Sequence, residues 1–205
     1  MILKVMRRAS SFVFDYRPVY LYAISSPPEC QVEARCPLEI RKGAPEDIDF
    51  IGSGRELVDT DPYLRRLRRR FAMGAEPFLG ISEGKLAHSS WLFRPPRVVE
   101  TNVDLRLSPD QVHIGACWTS TKFRGMNIYP TVLRHIQKYA FARGAKSVFI
   151  AAAPENIAST RGIEKAGFVR VKKVSGFVLF GRMWNYRWQA SVENIDSGPM
   201  PLDGS

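Results

Sequence analysis

The sequence predicts an α/β domain in which helices flank a mixed central sheet. The first observation is the segment from Val112 to Phe168, where strand and helix patterns alternate through short polar turns. The second is composition, because 205 residues with 45% hydrophobic content can bury a sizeable core. The third is the region before Val112, where two helical patterns precede two strands. These observations favour one folded domain.

The elements before the central segment follow from hydrophobic spacing. A short strand is predicted first, at Leu38 to Lys42. Two helices follow at Pro45 to Leu57 and Asp61 to Met73, and two strands at Pro77 to Ser82 and Lys85 to Phe93.

The later elements are read in the same way. The insertion at 94–111 contains VVETNVDLRL, whose alternation predicts a further strand or hairpin arm. The remaining predicted elements are a strand at Val112 to Thr119, helices at Ile128 to Arg143 and Asn156 to Lys165, and strands at Ser147 to Ala153, Phe168 to Val174 and Val178 to Trp188.

The strand that begins at Val112 leads into a helix through a turn that contains a glycine. Polar residues Thr119 to Arg124 precede Gly125, and Lys122 and Arg124 carry positive charge. Backbone N–H groups in such a turn, together with the positive end of the helix dipole, bind phosphate groups. The turn is neither a Walker loop nor a dinucleotide fingerprint, because their other glycines are missing.

Two motifs resemble the acyl-CoA-binding motifs of the GNAT N-acyltransferase superfamily. They are TKFRGMNIY at Thr121 to Tyr129 and ENIASTRGIEKAGF at Glu155 to Phe168. The resemblance covers about Leu38 to Trp188 and implies the GNAT fold. It also implies acetyl-CoA as the default donor, with a longer acyl-CoA as the alternative.

The chain departs from the family pattern at three positions. The pattern Gln/Arg-x-x-Gly-x-Gly/Ala falls on Lys122, Gly125 and Asn127, so that only the first glycine is kept. Asparagine tolerates left-handed backbone better than most residues, and the turn therefore remains possible. Ile163 stands where many members have a tyrosine that protonates the departing thiolate.

The resemblance also implies a cofactor site. Asn156 would open the second helix, and Ser159 is the small residue expected near the cofactor. The strand would bulge, so that backbone N–H groups near Trp118 and Thr119 bind the pantetheine or the thioester oxygen. The implied cofactor-binding residues are Trp118, Thr119, Lys122, Phe123, Arg124, Gly125, Met126, Asn127, Ile128, Asn156 and Ser159.

The general base is assigned by alignment with histone-modifying members. His113 falls where their glutamate lies, and imidazole suits proton removal near neutral pH. Glu100 is the second catalytic candidate, and Asp104 lies on the same insertion. Cys117 is read as a small buried residue rather than a nucleophile.

The predicted function is N-acyl transfer from acyl-CoA to a primary amine, by direct attack in a ternary complex. Two rival hypotheses remain open: an acetylating toxin that acts on charged tRNA, and a catalytically silent acyl-CoA sensor. The aromatic residues of the N-terminal extension provide a hypothetical acyl tunnel, although core packing explains them more simply.

Charge and cysteine content limit the partners, disulfides and metal sites that the sequence predicts. The net charge is +10, and the densest contribution is the amphipathic helix YLRRLRRRF, Tyr63 to Phe71. A solvated helix face is the simplest interpretation, and the alternatives are an acidic acceptor, a nucleic-acid partner or an anionic membrane, among which the sequence does not choose. Three cysteines and three scattered histidines indicate neither disulfides nor a metal site. We expect a cytoplasmic protein without a transmembrane segment, and a homodimer is possible.

The chain is divided into three parts. Residues 1–37 form an N-terminal extension, in which Arg17 to Ser25 is a candidate added strand. Residues 38–188 form the GNAT acyltransferase domain, and residues 189–205 form a polar tail that is expected to be disordered.

Overall fold

The predicted mixed sheet flanked by helices is confirmed. The structure, a computed structural model, describes residues 15–27, 32–55, 61–95, 97–98, 105–179 and 182–184. In this part of the chain, eight strands form one sheet in the order β10-β9-β1-β8-β7-β4-β3-β2, and β5 and β6 form a separate pair. The strands are β1 Asp15–Ile24, β2 Glu39–Lys42, β3 Glu76–Ser82, β4 Lys85–Phe93, β5 Arg97–Val98, β6 Leu105–Arg106, β7 Gln111–Thr119, β8 Ser147–Ala152, β9 Val169–Leu179 and β10 Arg182–Trp184.

The helices lie in two pairs on opposite faces of the sheet. They are α1 Ile48–Ser53, α2 Asp61–Ala72, α3 Ile128–Phe141 and α4 Ile157–Lys165. Helices α1 and α2 bury Ile51 and Leu67 in one core, whereas α3 and α4 bury Leu133 and Ile163 in the other. The sheet therefore separates two cores, and a residue of a central strand faces one core or the other.

The predicted strand of the N-terminal extension is present and lies inside the sheet. Strand β1 pairs antiparallel with β8 on one side and with β9 on the other. Its side chains alternate between the cores: Leu21 and Ala23 face α1 and α2, while Tyr22 and Ile24 face α3 and α4. A sequence boundary at residue 37 thus does not coincide with an edge of the sheet.

The aromatic residues of β1 serve packing. Tyr22 is 1% exposed, and its hydroxyl donates a hydrogen bond of 3.3 Å to Glu164 Oε1. Burial, followed by the Glu164 charge, raises the pKa of Tyr22 to about 12. The Tyr20 ring lies 4.6 Å from the guanidinium carbon of Arg170. These contacts account for both tyrosines without an acyl tunnel.

Several predicted boundaries differ from the structure. The helix predicted at 45–57 is a 3-10 turn, Pro45–Asp47, followed by α1, which ends just before Gly54. The break predicted at 175–177 does not occur, because β9 continues through these residues while paired to β1. The strand or hairpin arm predicted in the insertion is present as the pair of strands β5 and β6. The catalytic candidate Glu100 and its neighbour Asp104 lie outside the described residues.

The described residues include neither a helix that could span a membrane nor a metal-binding cluster. No described helix is both long and apolar enough to cross a bilayer. No group of three or more His, Cys, Asp or Glu side chains in these ranges has a metal-binding arrangement.

The position of β1 predicts a large loss of stability on truncating Leu21, which is 5% exposed. We expect Leu21→Ala to lower the free energy of unfolding by about 2–4 kcal/mol, measured by urea denaturation. Val169→Ala on the adjacent strand β9 is the control, because Val169 is 50% exposed and its truncation should change stability by less than about 1 kcal/mol. Equal losses would contradict a buried position for β1.

Candidate functional site: a cavity beside a bulged strand

The site is built around an irregularity in the central strand β7. Ser89 of β4 pairs with Trp118, and Trp91 pairs with Gly115, so that two residues of β7 lie opposite one residue of β4. One of these two, Ala116, has φ of 51°, in the left-handed region that non-glycine residues rarely adopt. The bulge bends β7 at this point.

Beyond the bulge, β7 parts from β8. The parallel pairing of these strands ends at Ile114 with Ile150, although both strands continue. Ser120 N–H donates to Ala87 O at 3.0 Å, toward β4. Because consecutive residues of a strand direct their N–H groups to opposite sides, Thr119 N–H points toward the gap. By the same alternation Trp118 N–H points toward β4.

The turn after β7 has the left-handed geometry that was expected. Gly125 has φ of 79° and Asn127 has φ of 57°, and Asn127 caps the N-terminus of α3. Lys165 Nζ donates to Asn127 Oδ1 at 2.8 Å, which ties the turn to the end of α4. The first backbone N–H groups of α3 consequently border the gap beside β7.

Helix α4 closes the other side of the gap. As predicted, Asn156 opens this helix, and its side chain accepts a hydrogen bond of 3.2 Å from Ser159 N–H. Gly162 is required by close packing, because a Cβ atom there would lie 2.5 Å from Cδ1 of Tyr129. The ring of Tyr129 therefore lies directly against the backbone of α4.

These elements enclose a cavity of about 630 Å³. Nine of the eleven predicted cofactor-binding residues line it, whereas Lys122 and Met126 do not. The lining residues are Cys117, Trp118, Thr119, Phe123, Arg124, Gly125, Asn127, Ile128, Tyr129, Pro130, Asn156, Ala158, Ser159, Arg161, Gly162 and Lys165.

The cavity has a basic side and a neutral polar side. Arg124, Arg161 and Lys165 are exposed and supply positive charge beside the N-terminus of α3. At the other side, the hydroxyls of Tyr129 and Ser159 are 3.4 Å apart. A long ligand with phosphates at one end and a neutral reactive group at the other matches this distribution.

The half-buried Cys117 thiol of β7 and the half-buried Tyr129 phenol of α3 are neutral near pH 7. Burial is the largest effect on Cys117 and raises the pKa of its thiol, although interactions with Ser90 and Tyr129 partly offset this. Burial also raises the pKa of Tyr129 well above 10, with the Cys117 charge as the next cause. Tyr129, a lining residue of the cavity, therefore keeps its hydroxyl proton near pH 7.

His88 packs against Tyr129 and contacts the end of β7. Its imidazole is fully buried and stacks on Tyr129 with ring centroids 5.4 Å apart. Its two nitrogens lie 2.7 Å from Thr119 Oγ1 and 2.7 Å from Ser90 Oγ. Burial, reinforced by the Arg55 charge, lowers the pKa of His88 to about 3, so that it is neutral and positions its two hydroxyl partners.

The structure does not bring the catalytic candidate His113 to the cavity. Its side chain is 1% exposed, pairs across the strands with Phe93, and is absent from the cavity lining. Burial lowers the pKa of His113 to about 3, and neither ring nitrogen has a hydrogen-bond partner among the described residues. Glu100 cannot be placed relative to the cavity, since it lies outside the described residues.

A sequence comparison identifies the family. A sequence model described as the acetyltransferase (GNAT) family matches residues 59–168, which is more than half of the chain. The chain belongs to the acetyltransferase (GNAT) family. The predicted family membership is therefore confirmed, and the cavity lies where the two motifs that carried the resemblance meet. No curated protein matches the chain.

Solved structures agree with the GNAT fold. A GNAT-family acetyltransferase from Colwellia psychrerythraea aligns with a TM-score of 0.58 at 14% identity, over 82% of this chain and 57% of that one. A GCN5-related N-acetyltransferase from Sphaerobacter thermophilus aligns with a TM-score of 0.57 at 14% identity, over 87% of this chain and 56% of that one. The chain thus spans little more than half the length of these proteins, and at this identity the likeness concerns the fold alone.

GNAT enzymes use acetyl-CoA, and the cavity fits an acyl-CoA. The left-handed turn and the α3 N-terminus suit a pyrophosphate, the basic side chains suit phosphate charge, and the gap beside β7 suits a pantetheine arm. Sequence reasoning missed Tyr129, Arg161 and Lys165 as lining residues. Arg161 and Lys165 could have been predicted from the sequence, because residues four apart on a helix share a face.

The left-handed turn makes a prediction about position 127. Glycine adopts this conformation freely, whereas a β-branched residue there is strained by about 1–2 kcal/mol or more. We expect Asn127→Gly to bind CoA within about threefold of the unmodified protein, and Asn127→Val to bind about tenfold more weakly, by calorimetric titration.

Both variants lose the hydrogen bond to Lys165, so their difference isolates the backbone conformation. Equal affinities of the two variants would show that the left-handed turn is not needed for binding.

Proposed function

We propose that this GNAT protein transfers an acyl group, acetyl by default, from acyl-CoA to a primary amine by direct attack within a ternary complex. The observation that carries the proposal is the cavity in which the gap beside β7, the left-handed turn and the start of α4 meet. The CoA thioester supplies an activated acyl group, and the protein supplies position, charge and one proton.

The basic side of the cavity binds the phosphates. Backbone N–H groups of the 125–129 turn and helix start contact the pyrophosphate, and Arg124, Arg161 and Lys165 neutralise its charge. Binding at this end fixes the depth to which the pantetheine enters the gap.

Two groups act at the thioester end of the cavity, one as a hydrogen-bond donor and one as a proton donor. Thr119 N–H points into the gap, where it polarises the acyl carbonyl and stabilises the negative oxygen that forms on attack. The Tyr129 hydroxyl donates its proton to the departing thiolate, which supplies the group that Ile163 cannot provide. Ile163 itself is fully buried in the core.

Direct attack is favoured over an acylated cysteine. The raised pKa of Cys117 keeps its thiol protonated near pH 7, and a protonated thiol is a weak nucleophile. Its Sγ lies 3.7 Å from Gly115 O as a weak donor. The amine therefore attacks the thioester itself.

The amine reaches the thioester already neutral in this proposal. Both buried histidines near the site have pKa values of about 3 and are directed into the protein. The described part of the cavity lining contains no carboxylate to take up the proton. The ammonium form of the amine therefore loses its proton to water before binding. The N–H proton that the tetrahedral intermediate releases then passes to the Tyr129 oxygen, which has given its own proton to the thiolate.

Tyr129→Phe tests the proposed proton donor. With acetyl-CoA and the best acceptor from a panel of primary amines, we expect kcat to fall about 10- to 100-fold, because a thiolate leaves more slowly when unprotonated. The affinity for acetyl-CoA should be unchanged, since the ring still packs on Gly162. CoA release measures turnover.

Tyr139→Phe is the matched control on the same helix, because its hydroxyl contacts Glu76 away from the cavity. Equal kcat for Tyr129→Phe and the unmodified protein would remove the donor role. Acetyl-CoA binding without turnover of any amine would contradict the enzyme and favour a sensor.

The histidine pKa values predict the pH dependence. Groups with pKa values of about 3 are neutral throughout the range from about pH 5.5 to 8. We expect kcat/KM for the amine to rise with pH until the amine's own pKa, with no second inflection. An inflection near the ordinary histidine pKa of about 6.5 that disappears in His113→Gln would restore His113 as the base.

A further inference from the structure

An unusual cation lies on the opposite face of β7 from Cys117. The guanidinium carbon of Arg55 is 4.5 Å from the ring centroid of Tyr63 and 5.1 Å from that of Trp118. Within the part of the chain that the structure describes, its Nε is buried without a hydrogen-bond partner, and no carboxylate forms an ion pair with it. The aromatic rings thus hold the cation in place and leave its Nε donor unused.

Other positive charges converge on the same place. Arg66 and Arg70 are one turn apart on α2, and their charges act on Arg55. Burial is the largest effect on Arg55 and lowers the pKa of its guanidinium, and the charges of these two arginines lower it further. We call Arg55, Arg66 and Arg70 the arginine cluster. Like charges held together in a partly dry place are stabilised by a bound anion.

The arginine cluster adjoins the reacting end of the cavity. Trp118 is a lining residue of the cavity, and its indole ring contacts Arg55, so one residue of β7 borders both the cavity and the arginine cluster. Trp118 precedes Thr119, whose N–H faces the gap, and follows Cys117, whose thiol interacts electrostatically with Arg55. A small molecule at Arg55 therefore lies on the far side of the strand at which the thioester is proposed to bind.

We propose that the acceptor amine carries an anionic group, a carboxylate or a phosphate, that binds Arg55 while its amino group reaches the thioester beside Thr119. The inference rests on the proposed acyl transfer. Arg55 is suited to this task because a planar guanidinium fixed between rings binds carboxylate or phosphate oxygens with little loss of side-chain freedom. Acceptors of this class include amino acids and amino-sugar phosphates.

The test compares acceptors that differ only in the anion. The pairs are leucine with leucinamide, phenylalanine with phenylalaninamide, and glucosamine 6-phosphate with glucosamine, each with acetyl-CoA and CoA release as the readout. We expect kcat/KM to favour the anionic member at least about tenfold, and the carboxylate and phosphate pairs identify which anion is used. The amino groups of the amides are less basic, so a larger fraction of each amide carries a neutral amine at a given pH. This difference favours the amides and therefore works against the expected preference for the anionic acceptors.

Arg55 variants assign the preference to the cluster. We expect Arg55→Met to lower kcat/KM for the anionic acceptor by about tenfold or more, because KM rises. The kcat/KM for the neutral acceptor should change by less than about threefold. Arg55→Lys should fall between, because it keeps the charge and loses the planar fork. Arg68→Met is the control with the same charge loss at an exposed position of α2.

A second measurement does not depend on turnover. In protein saturated with CoA, inorganic phosphate and acetate are titrated while the ¹H–¹⁵N signal of Arg55 Nε is followed, with assignment by its absence in Arg55→Lys. A saturable shift that persists in Arg68→Met supports the inference. No shift, or equal use of neutral and anionic acceptors in Arg55→Met and the unmodified protein, overturns it.

The proposed function can be contradicted independently of the anion site at Arg55. It is contradicted if acetyl-CoA does not bind or is not turned over, whereas the Arg55 signal still reports whether the cluster binds an anion.

Discussion

The bulge in β7 is the constraint on which the rest of the site depends. A regular β7 would continue its pairing with β8 up to the end of β8 at Ala152, and its backbone N–H groups there would be used within the sheet. The left-handed conformation of Ala116 instead turns the strand away and leaves Thr119 N–H facing a gap. The conformation is tolerated because β4 keeps its pairing on both sides of the bulge.

The same strand separates two chemically different faces. The α3 and α4 face provides the cavity, with cations at one end and the neutral Tyr129 hydroxyl at the other. The α1 and α2 face provides Arg55, held between aromatic rings. In the proposed mechanism, the donor and acceptor sites lie on opposite faces of this strand, and the amine meets the thioester beside Thr119 without a covalent enzyme intermediate.

Local patterns in the sequence predicted the geometry of the turn after β7 and the start of α4, because the residues concerned are contiguous. Gly125 and Asn127 adopt the left-handed geometry that their chemistry favours, and Asn156 caps its helix. The place of β1 between β8 and β9 was not predictable, since hydrophobic alternation fixes which residues form a strand but not which strands pair. Arg55 was missed for a related reason, because it meets Trp118 only through the tertiary fold.

The most direct test of the central claim is residue-resolved amide hydrogen exchange with and without acetyl-CoA. In the free protein, Trp118 N–H should exchange slowly because it points toward β4, and Thr119 N–H should exchange faster because it faces the gap. Acetyl-CoA should slow exchange at Thr119 and across the 125–129 turn. Binding that leaves Thr119 exchange unchanged would contradict the role of the bulged strand.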